Sequence, residues 1–272
     1  MITEALQQVL IKRPLGLVYD IDGTLSPIAS MPDQARLYPG TAELLLQEQR
    51  YAHVGIVTGR ALADGARIVN VEGLTYVGTH GLEWCEGLPS THPIVLIPEA
   101  QPYIAPGNAL LDLVERELVP VISGLIVQRK PVGGSLHYRL ASDPEQAREL
   151  ILATLKEPAQ RANMLIGEGK RVIEILAPLT TNKGTALRRF VNQFGLRAII
   201  FAGDDLTDLN GLLEVEKLRQ EGYAALGIAV QHHDTPPAML EHADIVVQEV
   251  EGMIQLMGEI NAFLANYEVS RA

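Results

Sequence analysis

Short apolar runs alternate with longer stretches whose apolar residues recur every three or four positions, and this alternation predicts the architecture of the 272-residue chain. Residues 15–20, 53–57 and 75–78 read as strands. Residues 41–50 and 62–69 read as helices, with Thr41 as the N-cap of the first. A strand–helix–strand series of this kind predicts a parallel sheet covered by helices. The rhythm then changes. Residues 108–122 form a helical stripe of Leu110, Leu111, Val114, Leu118 and Val121. Strands 125–130 and 135–140 follow, joined at Pro131-Val132-Gly133-Gly134. A helix over 143–156 has Asp143 as N-cap and Pro144 at its first position. Strands 163–167 and 171–176 then close around Glu168-Gly169-Lys170. Helix, strand, strand, twice over, describes a small α+β unit with an antiparallel sheet. After Pro178 the first rhythm returns, with helices over 183–194, 206–219, 235–241 and 249–265 and strands over 198–201, 223–230 and 244–247. The fold class is therefore α/β: a doubly wound parallel sheet formed by residues 1–103 and 178–272, interrupted by an α+β insert over 104–177. The crossings fall near residues 101–106 and 177–181.

Composition narrows what such a chain can do. With 47% hydrophobic and 20% charged residues it can bury a core, and with 5% aromatics that core is mainly aliphatic. A net charge of −11 argues against a nucleic-acid partner, whose phosphates want Lys and Arg. The insert carries nine acidic and nine basic residues, so the flanking segments hold the whole deficit. One cysteine, Cys85, excludes an internal disulfide and a thiolate cluster and fits a reducing cytoplasm. No apolar run approaches the ~20 residues that cross a bilayer, and the N-terminus lacks the pattern of a signal peptide. A cytoplasmic protein with no membrane partner is expected, its oligomeric state open, a monomer favoured.

Four clusters of chemically capable residues fall at strand ends or helix starts. The first is Asp20-Ile21-Asp22-Gly23-Thr24, where alternation puts both carboxylates on one face. Two such charges repel unless a cation or a proton lies between them. The second is Thr58-Gly59-Arg60, directly after a strand. The third is Lys183, opening the helix after the insert. The fourth is Gly203-Asp204-Asp205-Leu206-Thr207-Asp208, again after a strand. Together they offer a nucleophile, turn N–H groups and an ammonium for an anion, and the carboxylate oxygens that suit a hard cation such as Mg²⁺.

This ordered set resembles the haloacid dehalogenase superfamily of aspartate-nucleophile phosphatases, with a Rossmann-like core. The resemblance implies that Asp20 attacks phosphorus and that Asp22 acts as acid and then base. It implies that Thr58 and Lys183 hold the phosphoryl group, and that Asp20, the Asp22 carbonyl and Asp204 bind Mg²⁺, aided by Asp205 and Asp208. The insert, placed between the second and third clusters, is similar to the larger cap of sugar-phosphate phosphatases.

Further stretches resemble the trehalose-6-phosphate phosphatase family. They are Ser26-Pro27-Ile28, Gly78-Thr79-His80-Gly81-Leu82-Glu83, Lys130 with His137-Tyr138-Arg139, Glu174-Ile175, and Asn182-Lys183-Gly184-Thr185-Ala186-Leu187. By that resemblance, Lys130, His137, Arg139 and Glu174 contact the sugar or orient its phosphate. Gly59, Arg60, His80, Gly81 and Glu83 add substrate contacts at the seam of core and cap, and the cap moves to admit substrate. The partner implied is a small sugar phosphate. Gln128, Leu209 and the Ile175-Leu176-Ala177-Pro178 stretch depart from the family pattern, so another sugar phosphate, such as a glucosyl- or mannosyl-glycerate phosphate or sucrose phosphate, stays open as substrate. Signalling receiver domains also combine clustered aspartates with Thr and Lys, but they are shorter and have no cap.

Overall fold

The computed structural model describes residues 2–29 and 31–271. It divides into two compact units, Met1–Val95 with Thr181–Ala272, and Leu96–Thr180. The second unit takes in eight residues before 104 and three after 177. It does so because a 3₁₀ segment, Pro98–Tyr103, runs directly into its first long helix.

In the first unit, six parallel strands lie in the order β12-β11-β10-β1-β2-β3. They are β1 (Leu15–Tyr19), β2 (His53–Val57), β3 (Thr75–Gly78), β10 (Ala198–Gly203), β11 (Ala224–Gln231) and β12 (Ile245–Gln248). The antiparallel β4 (Glu83–Glu86) and the two-residue β5 (Val95–Leu96) extend one edge. The chain winds outward from β1 on one side and from β10 on the other. The switch point of this sheet therefore lies between β1 and β10, where open α/β sheets place their ligands.

Alternation along the strands feeds two cores. Leu17, Tyr19, Ile200 and Ala202 point to the face covered by α1 (Glu4–Leu10), α2 (Thr41–Glu48), α3 (Leu62–Val69) and α9 (Glu249–Arg271). Val18, Ile199 and Phe201 point to the face covered by α6 (Lys183–Gln193), α7 (Leu209–Gln220) and α8 (Pro237–His242). On that second face the strands carry Gly16 and Gly55, and the Phe190 ring of α6, with Leu196 beside it at Gly16, fills the hollow they leave. A Cβ on Gly55 would lie 2.8 Å from the ring, and one on Gly16 would lie 3.3 Å from it.

The second unit packs α4 (Ile104–Glu117) and α5 (Pro144–Arg161) on one face of an antiparallel sheet ordered β6-β7-β9-β8. Its strands are β6 (Ile126–Arg129), β7 (Gly134–His137), β8 (Leu165–Gly169) and β9 (Val172–Leu176). Leu136, Ile173 and Ile175 join Leu110, Leu111, Val114, Ile151 and Leu155 among its buried residues.

Several boundaries differ from the sequence reading. Thr41 is the first residue of α2 and not its N-cap: Gly40 takes that place at φ 87°, and the Thr41 hydroxyl turns back to donate to the Tyr38 carbonyl at 2.7 Å. Helix α5 runs past Pro158 to Arg161, because Leu155 and Ala159 are buried and packing overrides the local break. Helix α4 begins before Pro106, which sits in the first turn where its missing N–H leaves no bond unmade. Helix α1 and the strands β4 and β5 were not anticipated, although Leu6, Val9 and Leu10 carry helical spacing. Helix α7 begins at Leu209, three residues later than expected, because the Asp205 carboxylate accepts from the Thr207 N–H and holds residues 205–207 as a turn. Among the described residues no helix is long and apolar enough to cross a membrane. Cys85 is buried and free.

One buried polar pair tests this core. Tyr19 Oη donates to Glu48 Oε1 at 2.9 Å, and Glu48 Oε2 finds no partner among the described residues. Burial pushes the Glu48 carboxyl up to about 8. Its ionisation therefore opposes folding, starting where the unfolded carboxyl ionises and reaching its full cost above pH 8. Between pH 5 and 8 stability should fall by up to about 1.4 kcal/mol per pH unit from this group. Glu48→Gln should remove that slope in denaturant titrations at several pH values; an unchanged slope refutes the assignment.

Candidate active site

The C-terminal ends of β1 and β10 bring the first, third and fourth clusters together. Asp20 directly follows β1, and its N–H donates to the Ala202 carbonyl of β10 at 3.0 Å. Asp204 directly follows β10. Lys183 is the first residue of α6, whose N-terminus is closed by a capping box: Asn182 Oδ1 accepts from the Thr185 N–H at 3.0 Å, and Thr185 Oγ1 accepts from the Asn182 N–H at 2.9 Å. The Lys183 ammonium lies 2.8 Å from Asp20 Oδ1 and 2.7 Å from Asp208 Oδ1, and all three side chains are at most 5% exposed. Asp20, Asp204 and Asp208 each present an oxygen within 4.8 Å of the others.

That arrangement is unbalanced. Two like charges about 4 Å apart cost about 4 kcal/mol at the effective dielectric near a protein surface, and one ammonium cannot offset three carboxylates. Burial, followed by mutual repulsion, holds Asp204 above the usual carboxylate range. Burial does the same to Asp20 and Asp208 against the pull of Lys183. Lys183 is held firmly in its charged form, because the two carboxylates beside it outweigh its own burial. A divalent cation fits the remainder. The ionised cluster with its ammonium carries two net negative charges, its donors are hard oxygens, and Asp204 Oδ1 is buried without a hydrogen-bond partner among the described residues. The carboxylates of Asp22 and Asp205 stand outside this group. Asp205 is exposed and engaged by the Thr207 N–H. Asp22 is gripped by Arg60, with Nε to Oδ2 and Nη2 to Oδ1 both at 2.6 Å.

The second cluster lies one strand over. Thr58 follows β2, is 3% exposed, and its Oγ1 accepts from the Arg60 N–H at 3.2 Å. The turn Thr79-His80-Gly81 packs beside it with all three residues at positive φ. The His80 N–H donates to the Thr58 carbonyl at 3.0 Å, and the His80 ring lies against Gly59. Gly81 faces the Asn182 carbonyl at the head of α6. Glu83 does not present a contact surface: it is 2% exposed, and its Oε2 accepts from the Leu62 N–H at the start of α3 and from the Thr79 hydroxyl. It anchors the turn and the helix.

In the second unit, the strand register aligns Gln128, Ser135 and Glu174 on the face opposite the one that α4 and α5 cover. Lys130 Nζ meets Glu174 Oε1 at 3.0 Å, Ser135 Oγ donates to the same oxygen at 3.1 Å, and His137 Nε2 lies 3.2 Å from Gln128 Oε1. Arg139 is not part of this row. Strand β7 ends at His137, and Arg139 falls in an exposed turn.

One residue of the first unit was missed by sequence reasoning. His232, directly after β11, reaches the Gly23 carbonyl with Nε2 at 2.7 Å. Its signal was the one that marked the other clusters, a polar residue at a strand end.

An α/β sheet with carboxylates and a lysine at its switch point places a charged cluster where open sheets of this class bind ligands, and comparison with known proteins narrows the class. The trehalose-phosphatase family matches residues 18–240, and the chain belongs to that family. It is 30% identical to an uncharacterised glycosyl hydrolase of Mycobacterium tuberculosis over 84% of its own length and 17% of that protein's. It is also 30% identical to a trehalose-phosphate phosphatase of Mycobacterium ulcerans over 82% of its length, spanning 55% of the relative. The fold is similar to that of a trehalose-6-phosphate phosphatase related protein (TM-score 0.76, 23% identity, 93% of this chain and 99% of that one). It is likewise similar to the C-terminal domain of Candida albicans trehalose-6-phosphate phosphatase (TM-score 0.72, 18% identity, 92% and 93%).

Gly23 gives a test of the packing. It sits at φ 81°, and a Cβ there would lie 2.0 Å from Asp204 Oδ2; Gly40, at φ 87°, has open space around it. Gly40→Ala should cost only backbone strain, about 1 kcal/mol. Gly23→Ala should cost clearly more in urea unfolding, because Asp204 must move as well. Equal costs would show that Gly23 and Asp204 are not in contact.

Proposed function

We propose that this chain is a Mg²⁺-dependent phosphatase of trehalose 6-phosphate. The observation that carries the reading is the convergence of Asp20, Lys183, Asp204 and Asp208 at the switch point of the sheet. Asp20 attacks the phosphorus atom. A bond forms between its carboxylate oxygen and phosphorus as the ester bond to the sugar oxygen breaks, and Asp22 gives its proton to the departing alkoxide. Asp22 then takes a proton from water, whose oxygen attacks phosphorus, expels Asp20 and releases inorganic phosphate. Lys183 and Thr58 hold the phosphoryl oxygens. Asp20 and Asp204, with the Asp22 carbonyl, are the residues that would hold Mg²⁺, and Asp208 fixes Lys183 beside them. The cation supplies positive charge that lets an anionic nucleophile approach an anionic phosphate. Arg60 already binds both Asp22 oxygens; a phosphate dianion competes for the same guanidinium and frees the acid for its task.

Sugar selection we assign to the polar row of the second unit, Lys130, Glu174, Ser135, His137 and Gln128, where buried or half-buried polar groups hold one another in fixed directions.

Incubation with trehalose 6-phosphate and Mg²⁺ should release phosphate. EDTA should stop the release, and Asp20→Asn should abolish it. Turnover of other sugar phosphates but not of this one would leave the chemistry and overturn the substrate. Glu174→Gln should raise KM for the sugar phosphate about tenfold, the loss of one charged hydrogen bond, with kcat changed much less. An unchanged KM would remove Glu174 from sugar selection.

A further inference from the structure

Four consecutive strands of the sheet contribute a residue at their C-terminal ends to a single line of contacts. Gly23 lies in the turn after β1, Asp204 follows β10, His232 follows β11, and Glu249 follows β12 at the head of α9. His232 joins them. Its Nε2 lies 2.7 Å from the Gly23 carbonyl oxygen and 4.0 Å from Asp204 Oδ2, and its Nδ1 lies 2.6 Å from Glu249 Oε2. Its side chain is 9% exposed. The backbone beneath it is pinned too: the His232 N–H donates to Thr235 Oγ1 at 2.8 Å, and that hydroxyl donates to the Val230 carbonyl at 3.3 Å. Both ring nitrogens thus face oxygen atoms. Glu249 reaches the ring from φ 54°, a conformation that a residue with a side chain seldom adopts.

The Gly23 N–H donates to the Ser26 carbonyl at 2.7 Å, and His232 holds the same residue at its carbonyl. As glycine it is the loosest point of the turn that follows Asp20 and Asp22, and it lies directly against Asp204. A donor fixed on its carbonyl holds that turn against the Asp204 side chain. We infer that His232, oriented by Glu249, is a positioning residue that keeps the Asp20–Gly23 turn and Asp204 at the separation a divalent cation requires. The inference rests on the proposed reading of Asp20 and Asp204 as cation ligands, and it extends that reading to two residues that touch neither the cation nor the substrate.

The test is Mg²⁺ binding to the full chain by calorimetry, without substrate, beside thermal unfolding. His232→Ala should weaken Mg²⁺ about 10- to 100-fold, the range found when a group behind a metal ligand is removed. Glu249→Ala should weaken it by less, in the same direction. His232→Gln should restore most of the affinity, because its amide N–H can still donate to the Gly23 carbonyl. At saturating Mg²⁺, KM for the sugar phosphate should stay within about twofold of the unmodified chain. Unchanged Mg²⁺ affinity in folded His232→Ala overturns the inference. If that variant does not fold, unchanged affinity in Glu249→Ala overturns it. A chain that hydrolyses no sugar phosphate yet loses Mg²⁺ on His232→Ala would refute the proposed activity and leave this pairing standing.

Discussion

The site depends on one ammonium held among more buried carboxylates than it can neutralise. Lys183 reaches Asp20 and Asp208 together, and Asp204 is left with an oxygen that nothing among the described residues satisfies. Desolvated charge of this kind opposes folding. It is tolerated because backbone geometry on every side fixes the groups where they are: the ends of two adjacent parallel strands, a capping box, and a glycine turn pressed against a carboxylate.

The sheet order explains why these residues meet. β1 and β10 are neighbours in space but nearly 180 residues apart in the chain, and winding outward from each leaves a crevice at their shared end. Each strand then contributes its next residue: Asp20, Thr58, Asp204, His232. The second unit follows a different logic. Its antiparallel sheet covers one face with two helices and keeps a polar row on the other, with Gln128, Ser135, His137 and Glu174 on strands and Lys130 directly after β6.

Much of this was legible in the chain. The periodicity located all six parallel strands of the first unit, and the four clusters lie at strand ends or, for Lys183, at a helix start. Where the structure places residues differently from the sequence reading, the reasons are local. Asp205 was expected to aid the cation alongside Asp208, but its carboxylate accepts from the Thr207 N–H in an Asx turn. Arg139 continued an alternating pattern on paper, whereas the strand stops at His137. Glu83 resembled a contact residue and is a buried brace. The helix read as ending at residue 156 runs on through Pro158 to Arg161, where Ala159 is buried. His232 was missed because its partners, Gly23 and Glu249, are 209 and 17 residues away, and no spacing rule connects them.

The hollow beneath Phe190 extends the reach of the site into the floor of the sheet. Phe190 lies two helical turns from Lys183 on α6, about 10 Å along the axis, and its ring seats where Gly16 and Gly55 present only hydrogens. The ring acts as a key in a slot, indexing the helix against the strands and so fixing the height of the ammonium over Asp20. Two positions with no side chain, at the far end of a rigid lever, thereby share in setting the separation of Lys183 and Asp20.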